Sequence, residues 1–302
     1  MTGISRRELL MLAATTPLAR AQFRSSVQVV NVFVTVRDKE GELVRGLTQA
    51  DFELTEDGRK QNIQYFAAES DLPLTLGLVF DLSGSQRTVL EQQRRASVTF
   101  LNQVLRDGDS AFLMGFDQRV KVLEPLGPSR ILLRQGLADL EIQESQSRGT
   151  ALFDAIAQAA DLVKAEPGRK ALIVLSDGID TASSSRAEDA IAAAQRADTL
   201  VYPIRFFDQK VFAFDVPGPG TENLRQGKRV LQKIAKETGG GFYEVAGART
   251  LADNFAHLEQ ELRNQYSLGF SPREGRPGYR KVRVTVKSKG LRTQARDGYF
   301  AQ

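Results

Sequence analysis

The sequence predicts an α/β fold: a doubly wound, mostly parallel sheet with helices on both faces, plus a small β domain built from the N- and C-terminal segments. Three observations carry that expectation. Between residues 72 and 264, short apolar runs alternate with segments of helical spacing, as repeated βαβ units require. Two of those runs, LPLTLGLVF and KALIVLS, are almost continuously apolar, as strands covered on both faces must be. At both ends the pattern changes to extended, β-branched segments separated by turns.

Residues 1–21 read as a signal peptide. They open with Arg6 and Arg7, continue through a short apolar stretch from Leu9 to Leu18, and end in Ala19-Arg20-Ala21. A basic start, an apolar centre and an A-x-A site are the parts of a secretory signal. The paired arginines resemble the twin-arginine export signal. The expectation is cleavage after Ala21 and an exported bacterial protein, periplasmic or secreted. No segment approaches the roughly 18 apolar residues of a spanning helix, so no transmembrane segment is expected.

In residues 22–71, VQVVNVFVTV alternates as a strand, DKEG supplies a turn, and ELVRGL continues the extended pattern. DFELTEDGRKQNIQYF then gives two short strands around Asp57-Gly58. Residues 72–264 begin with the strand LPLTLGLVF and the helix QRTVLEQQRRASVTFLNQVL, followed by the strands SAFLMGF and RVKVLEPL. Two helical segments, SRILLRQGLADL and TALFDAIAQAADLVKA, lead to the strand KALIVLS, the helix RAEDAIAAAQRADT and the strand TLVYPIRFF. After a loop around Pro217 to Thr221 come a helix, the strand GFYEV and a last helix, ARTLADNFAHLEQEL. Residues 265–302 read as three strands, QYSLGFSP, GYRKVRVTVKS and LRTQARDGYF. Neither end has enough strands to be stable alone. The two are therefore expected to pair into one β domain, with 72–264 inserted between them.

Composition narrows the function. The formal net charge is +4, and residues 1–21 hold three arginines against one glutamate, leaving +2 for the rest. That balance gives no argument for nucleic acid as a partner. With no cysteine in 302 residues, disulfides, thiolate catalysis and Cys-ligated zinc are excluded. The single histidine, His257, lies in the helical segment NFAHLEQEL and reads as a plain helical residue.

The informative residues stand where strands of the α/β region end, which is where doubly wound sheets bind ligands. Asp81, Ser83 and Ser85 alternate just after LPLTLGLVF. By themselves they fit a solvated turn, a nucleophile loop or one wall of a metal site. Ser147-Arg148-Gly149-Thr150 leads into the helix at Ala151, and Ser176-Asp177-Gly178 follows ALIVLS. The nearby Asp180-Thr181 and Ser183 to Ser185 read as a polar loop, and Glu56-Asp57-Gly58 as a hairpin turn. GTENLRQGKR has the wrong spacing for a phosphate loop.

Taken in order, D-x-S-x-S, a threonine and an aspartate on three upper loops resemble the von Willebrand factor type A domain and its metal-ion-dependent adhesion site. The matching positions are Asp81, Ser83, Ser85, Thr150 and Asp177, with GTALFDAI and LIVLSDGID as supporting context. The resemblance spans roughly Leu72 to Leu262. The flanking segments look like those of secreted bacterial proteins called VWFA-related. It implies a metal site on the top loops, with the serine and threonine hydroxyls binding directly and the aspartates often acting through water.

The donor chemistry points the same way. Hydroxyls and carboxylates without nitrogen or sulfur suit a hard cation, Mg²⁺ first, with Ca²⁺ or Mn²⁺ as alternatives. Two carboxylates neutralise a divalent ion, and an open position favours a charged oxygen. The expected partner is therefore a protein presenting an Asp or Glu carboxylate. A helix starting near Ser85 is expected to add its positive dipole end to this corner. The reading is of an interaction or adhesion module and not an enzyme. The alternatives are an envelope-assembly role with a merely stabilising metal, or a hydrolase. A nucleophile at Asp81 would want a second acid at position 83, which is serine. A serine nucleophile would need a base, and His257 lies on the last helix of the α/β region.

Overall fold

The computed structural model describes residues 29–68, 72–141, 149–206, 219–245, 250–273, 275 and 277–301. The signal peptide expected at 1–21, Ser147 and Arg148 of the second loop, and Pro217 lie outside the described residues. Four strands come first: β1 (Val30–Arg37), β2 (Phe52–Glu56), β3 (Arg59–Gln61) and β4 (Tyr65–Ala67). The α/β series follows with β5 (Leu74–Asp81), α1 (Leu90–Val104), β6 (Ser110–Phe116), β7 (Val120–Gly127), α2 (Arg130–Ala138) and α3 (Leu152–Val163). It continues through β8 (Arg169–Ser176), α4 (Ala187–Arg196), β9 (Thr199–Arg205), α5 (Pro219–Thr238), β10 (Tyr243–Glu244) and α6 (Leu251–Arg263). The chain ends in β11 (Tyr266–Phe270), β12 (Gly278–Val286), β13 (Arg292–Gln294) and β14 (Gly298–Ala301).

The central sheet has the order β10-β9-β8-β5-β6-β7. Its strands are parallel except β7, which runs antiparallel to β6 at the edge. Every residue of β5 and of β8 is buried, which accounts for their unbroken apolar runs. Side chains of β5 enter two cores. Leu76, Leu78 and Phe80 pack with Phe100 of α1 and Phe255 of α6. Val79 joins Ile156 of α3, Val174 and Ile234 of α5 on the other face. This layering brings the carboxyl ends of β5 and β8, Asp81 and Ser176, to the same rim of the sheet.

The terminal segments interleave. One four-stranded sheet runs β13-β1-β11-β4 and another β14-β12-β2-β3. Val32 and Val34 of β1, Leu54 of β2, Leu268 of β11 and Val284 of β12 share one apolar core between them. The β2–β3 hairpin turns at Asp57 (φ 47°) and Gly58 (φ 77°), the two left-handed residues that a type I′ turn needs. Two expectations change. ELVRGL forms only an isolated bridge from Leu43 to Arg37. LRTQARDGYF is not one strand but two, β13 beside β1 and β14 beside β12. Between them Arg296, almost fully buried, pairs with Asp198 and donates to the Asn31 carbonyl at 2.6 Å, and this turns the chain from one sheet to the other.

The β domain is joined to the α/β layers through α6. Glu261, fully buried, accepts from Arg37 Nη2 of β1 at 2.5 Å and from Gln294 Nε2 of β13 at 2.6 Å. Tyr243 OH of β10 donates to it at 2.7 Å.

Candidate metal centre

Asp81 is the last residue of β5 and has no exposed surface. Its Oδ1 accepts from the Ser83 backbone N–H at 3.0 Å, and its Oδ2 from Ser176 Oγ at 2.7 Å. The first contact is a local turn made by the aspartate itself. The second ties the first loop to the end of the neighbouring strand. Ser83 and Ser85 hydroxyl oxygens lie 3.0 Å apart. Ser85 Oγ donates to Asp177 Oδ2 at 2.9 Å, so the first and third loops meet directly. Asp177 Oδ1 accepts from the Ile179 N–H at 3.0 Å.

Thr150 reaches this corner through its backbone. Its carbonyl accepts from the Thr181 and Ala182 N–H groups at 2.9 and 3.1 Å, and its N–H donates to Thr181 Oγ1 at 3.0 Å. The structure thus gathers Asp81, Ser83, Ser85 and Asp177 by side-chain contacts, and Thr150 by contact with the loop that follows Asp177.

Burial first, and then the nearby Asp177 carboxylate, push the Asp81 carboxyl up to about 7 against the hydrogen bonds from Ser83 and Ser176. A buried carboxyl raised by a second carboxylate beside it, with hydroxyls between the two, forms a donor set that a divalent cation relieves. The residues present fit such an ion. No cluster of three or more His, Cys, Asp or Glu suited to a metal occurs among the described residues, so any metal here rests on oxygens that include hydroxyls.

The third loop is seated by close packing. Gly178 has φ +88°, and a Cβ there would meet the Gly227 carbonyl oxygen of α5 at 2.5 Å. Arg205, at the end of β9, donates through Nε to the Asp177 carbonyl at 3.4 Å and through Nη2 to the Leu224 carbonyl at 3.1 Å. Its Nη1 pairs with Glu244 at 2.5 Å.

Several features escape the motif. The polar loop at Asp180 to Ser185 is a clamp on α3. Ser183 Oγ accepts from the Phe153 and Asp154 N–H groups at 3.0 and 3.1 Å. Asp154 accepts from the N–H and hydroxyl of both Ser184 and Ser185. Burial opposes ionisation of Asp154, but these donors, led by Ser185 Oγ, hold it below the usual carboxylate range. Ser176 and Gln86 also touch the site residues. The run of serines after an aspartate was the only local signal for any of this. The expected helix dipole is corrected: Gly84–Gln86 is a 3₁₀ turn and α1 begins at Leu90, because the chain must first bring Ser85 back over the strand ends. His257 is half-buried on α6 and makes no hydrogen bond to Asp81, Ser83 or Ser85 among the described residues.

With this geometry in place, the family comparison is direct. Residues 76–179 match the von Willebrand factor type A domain, a stretch that contains all five site positions, and the chain carries such a domain. A curated relative, an uncharacterized protein of Borreliella burgdorferi, is 23% identical over 249 residues, covering 77% of this chain and 66% of that protein. The chain therefore matches just under two thirds of the relative's length. A von Willebrand factor type A structure from Catenulispora acidiphila is 15% identical and superposes with a TM-score of 0.51, over 90% of this chain and 73% of that one. This likeness shows a shared fold. The conserved hypothetical protein BatB from Bacteroides thetaiotaomicron is 20% identical, with a TM-score of 0.49 over 63% of this chain and 97% of that one.

Proposed function

We propose that the chain is an exported protein-binding module that takes a partner's carboxylate through a divalent cation, Mg²⁺ first. The observation that carries the reading is the contact of Ser85 Oγ with Asp177 Oδ2 at 2.9 Å. It joins loops 92 residues apart into one oxygen-lined corner beside the buried Asp81. Asp81, Ser83, Ser85, Thr150 and Asp177 would hold the cation. Bound there, it supplies a hard positive position whose free coordination an Asp or Glu side chain completes.

The chain's own groups prepare that corner. Ser176 and the Ser83 N–H fix both oxygens of Asp81, and the Ile179 N–H fixes one oxygen of Asp177. The Asp154 clamp and the Thr181–Thr150 contacts hold the second loop against the third. The signal-like residues 1–21 support export, and the protein-binding habit of von Willebrand factor type A domains supports the partner class. Among the described residues no helix is long and apolar enough to cross a membrane.

Calorimetric titration with Mg²⁺ tests the reading. Wild type is expected to bind one ion saturably. Asp81→Ala and Thr150→Ala are expected to lose binding while keeping the wild-type circular dichroism spectrum. Equal affinity in wild type and Asp81→Ala overturns the assignment.

A further inference from the structure

Behind the candidate metal centre stands a pair of buried amides that the D-x-S-x-S pattern does not include. Gln86 and Gln93 have no exposed surface. Gln86 Nε2 donates to the Phe206 carbonyl at 3.3 Å and lies 3.5 Å from both Ser85 Oγ and Asp177 Oδ2. One of its two N–H bonds is thus shared between a serine and an aspartate of the site. Gln93 Nε2, on α1, donates to Gln86 Oε1 at 3.1 Å.

The chemistry of the neighbours fixes how both amides point. A carboxylate and a backbone carbonyl only accept, so the Gln86 nitrogen must face them. Its oxygen then faces Gln93, whose nitrogen must turn toward it. That leaves Gln93 Oε1 buried without a partner among the described residues. Apolar side chains at both positions would avoid this unpaired oxygen and fill the same space. The pair is thus a poor packing solution and a good way to aim one N–H at Asp177 and Ser85.

We infer that Gln86 is a positioning residue for the metal, setting the direction of Asp177 Oδ2 and of the Ser85 hydroxyl, with Gln93 holding Gln86 in turn. The inference rests on the metal-binding reading of the site. Groups that hydrogen-bond to metal ligands fix their orientation, and their loss typically weakens metal binding about 10–100-fold. Gln86 acts through Asp177 and Ser85 and needs no contact with the ion.

The test is Mg²⁺ calorimetry on the full chain, below the melting temperature of every protein used. Wild type is compared with Asp81→Ala, Gln86→Met and Gln93→Met. Methionine keeps the length and apolar bulk of glutamine and removes its N–H groups. Gln86→Met is expected to bind Mg²⁺ about 10–100-fold more weakly, with a smaller loss in Gln93→Met. A Gln86→Met protein that keeps wild-type affinity overturns the inference, whatever its melting temperature, because a purely structural role moves only the latter. Equal binding by wild type and Asp81→Ala overturns the metal reading itself, a separate outcome. Should Gln86→Met fail to fold, the side-chain amide resonances of wild type decide. Those of Gln86 are expected to shift on Mg²⁺ saturation, while those of Gln195, which donates to the Glu237 carbonyl at 2.8 Å, stay in place. A Gln86 resonance that does not move overturns the proposal.

Discussion

Replacing Glu261 by leucine removes a buried carboxylate that touches both the β domain and the α/β layers. The side chain is fully buried and accepts from Arg37 at 2.5 Å, Gln294 at 2.6 Å, Tyr243 at 2.7 Å and Thr35 at 3.3 Å. Burial works against the Arg37 charge, yet Glu261 outweighs it and raises the guanidinium above its ordinary value. Breaking a buried ion pair by removing one partner costs about 3–5 kcal/mol. The Arg37 side chain is 25% exposed, so once released it reaches water, which places the loss near the lower end, about 3 kcal/mol. At about 2.1 cal/mol/K of unfolding entropy per residue, each kcal/mol lowers the melting temperature of a 302-residue chain by about 1.6 °C, giving a fall of about 5 °C. Scanning calorimetry and urea titration measure it. Adding Arg37→Leu completes a double-mutant cycle, whose coupling is expected at about 1–3 kcal/mol. A Glu261→Leu protein within about 0.5 kcal/mol of wild type would refute the argument that this carboxylate joins the two parts.

Three further outcomes follow from the same reasoning. Asp109 accepts from the Leu74 and Arg106 N–H groups at 2.8 Å each and pairs with Arg263 at 2.5 Å. Burial opposes its ionisation, but Arg263 and the backbone donors hold it below the usual carboxylate range. A depressed carboxyl stabilises the fold above its unfolded value of about 3.9 and loses that contribution as pH falls through its folded value. Urea melts at pH 7 and pH 3 are therefore expected to differ less for Asp109→Asn than for wild type, and equal differences contradict the assignment. Gly178→Ala combines a left-handed backbone with a clash against Gly227, so it is expected to lose about 1–3 kcal/mol of stability and to weaken Mg²⁺ binding, both read in one calorimeter. Pull-downs from envelope extract separate the metal site from the β domain as the binding surface. A partner released by chelator supports the former, and one retained in chelator supports the latter.

The α/β layers were legible because their signals are local. LPLTLGLVF and KALIVLS announce buried strands without reference to anything distant, and β5 and β8 are buried at every position. The five candidate positions could be picked out as a pattern for a related reason: D-x-S-x-S sits within five residues, and Thr150 and Asp177 each border a recognisable element. What stayed hidden depends on partners far along the chain. Nothing near Gln86 says that it will face Asp177, and nothing near Arg205 says that it will hold the Asp177 carbonyl. LRTQARDGYF reads locally as one extended segment, and its division falls at Arg296 and Asp297, whose partners Asp198, the Asn31 carbonyl and the Glu237 carbonyl lie far along the chain. The helix expected from Gln86 starts four residues later, because Ser85 and Gln86 are drawn down to Asp177 first.

The interleaved sheets also set an order of events in time. Val30 pairs with Phe270, and Phe52 with Val286, so β1 and β2 leave the ribosome long before β11 and β12. The parallel layers between them can fold as they are made, while the first strands wait with open edges. Contacts this distant in sequence are slow to form, and unpaired strand edges invite association in the interval. Closure of the β domain is then the last step of folding, and it depends on the final thirty or so residues having been made. A chain stopped before β12 would keep its sheet of parallel strands and leave β2 paired with β3 alone.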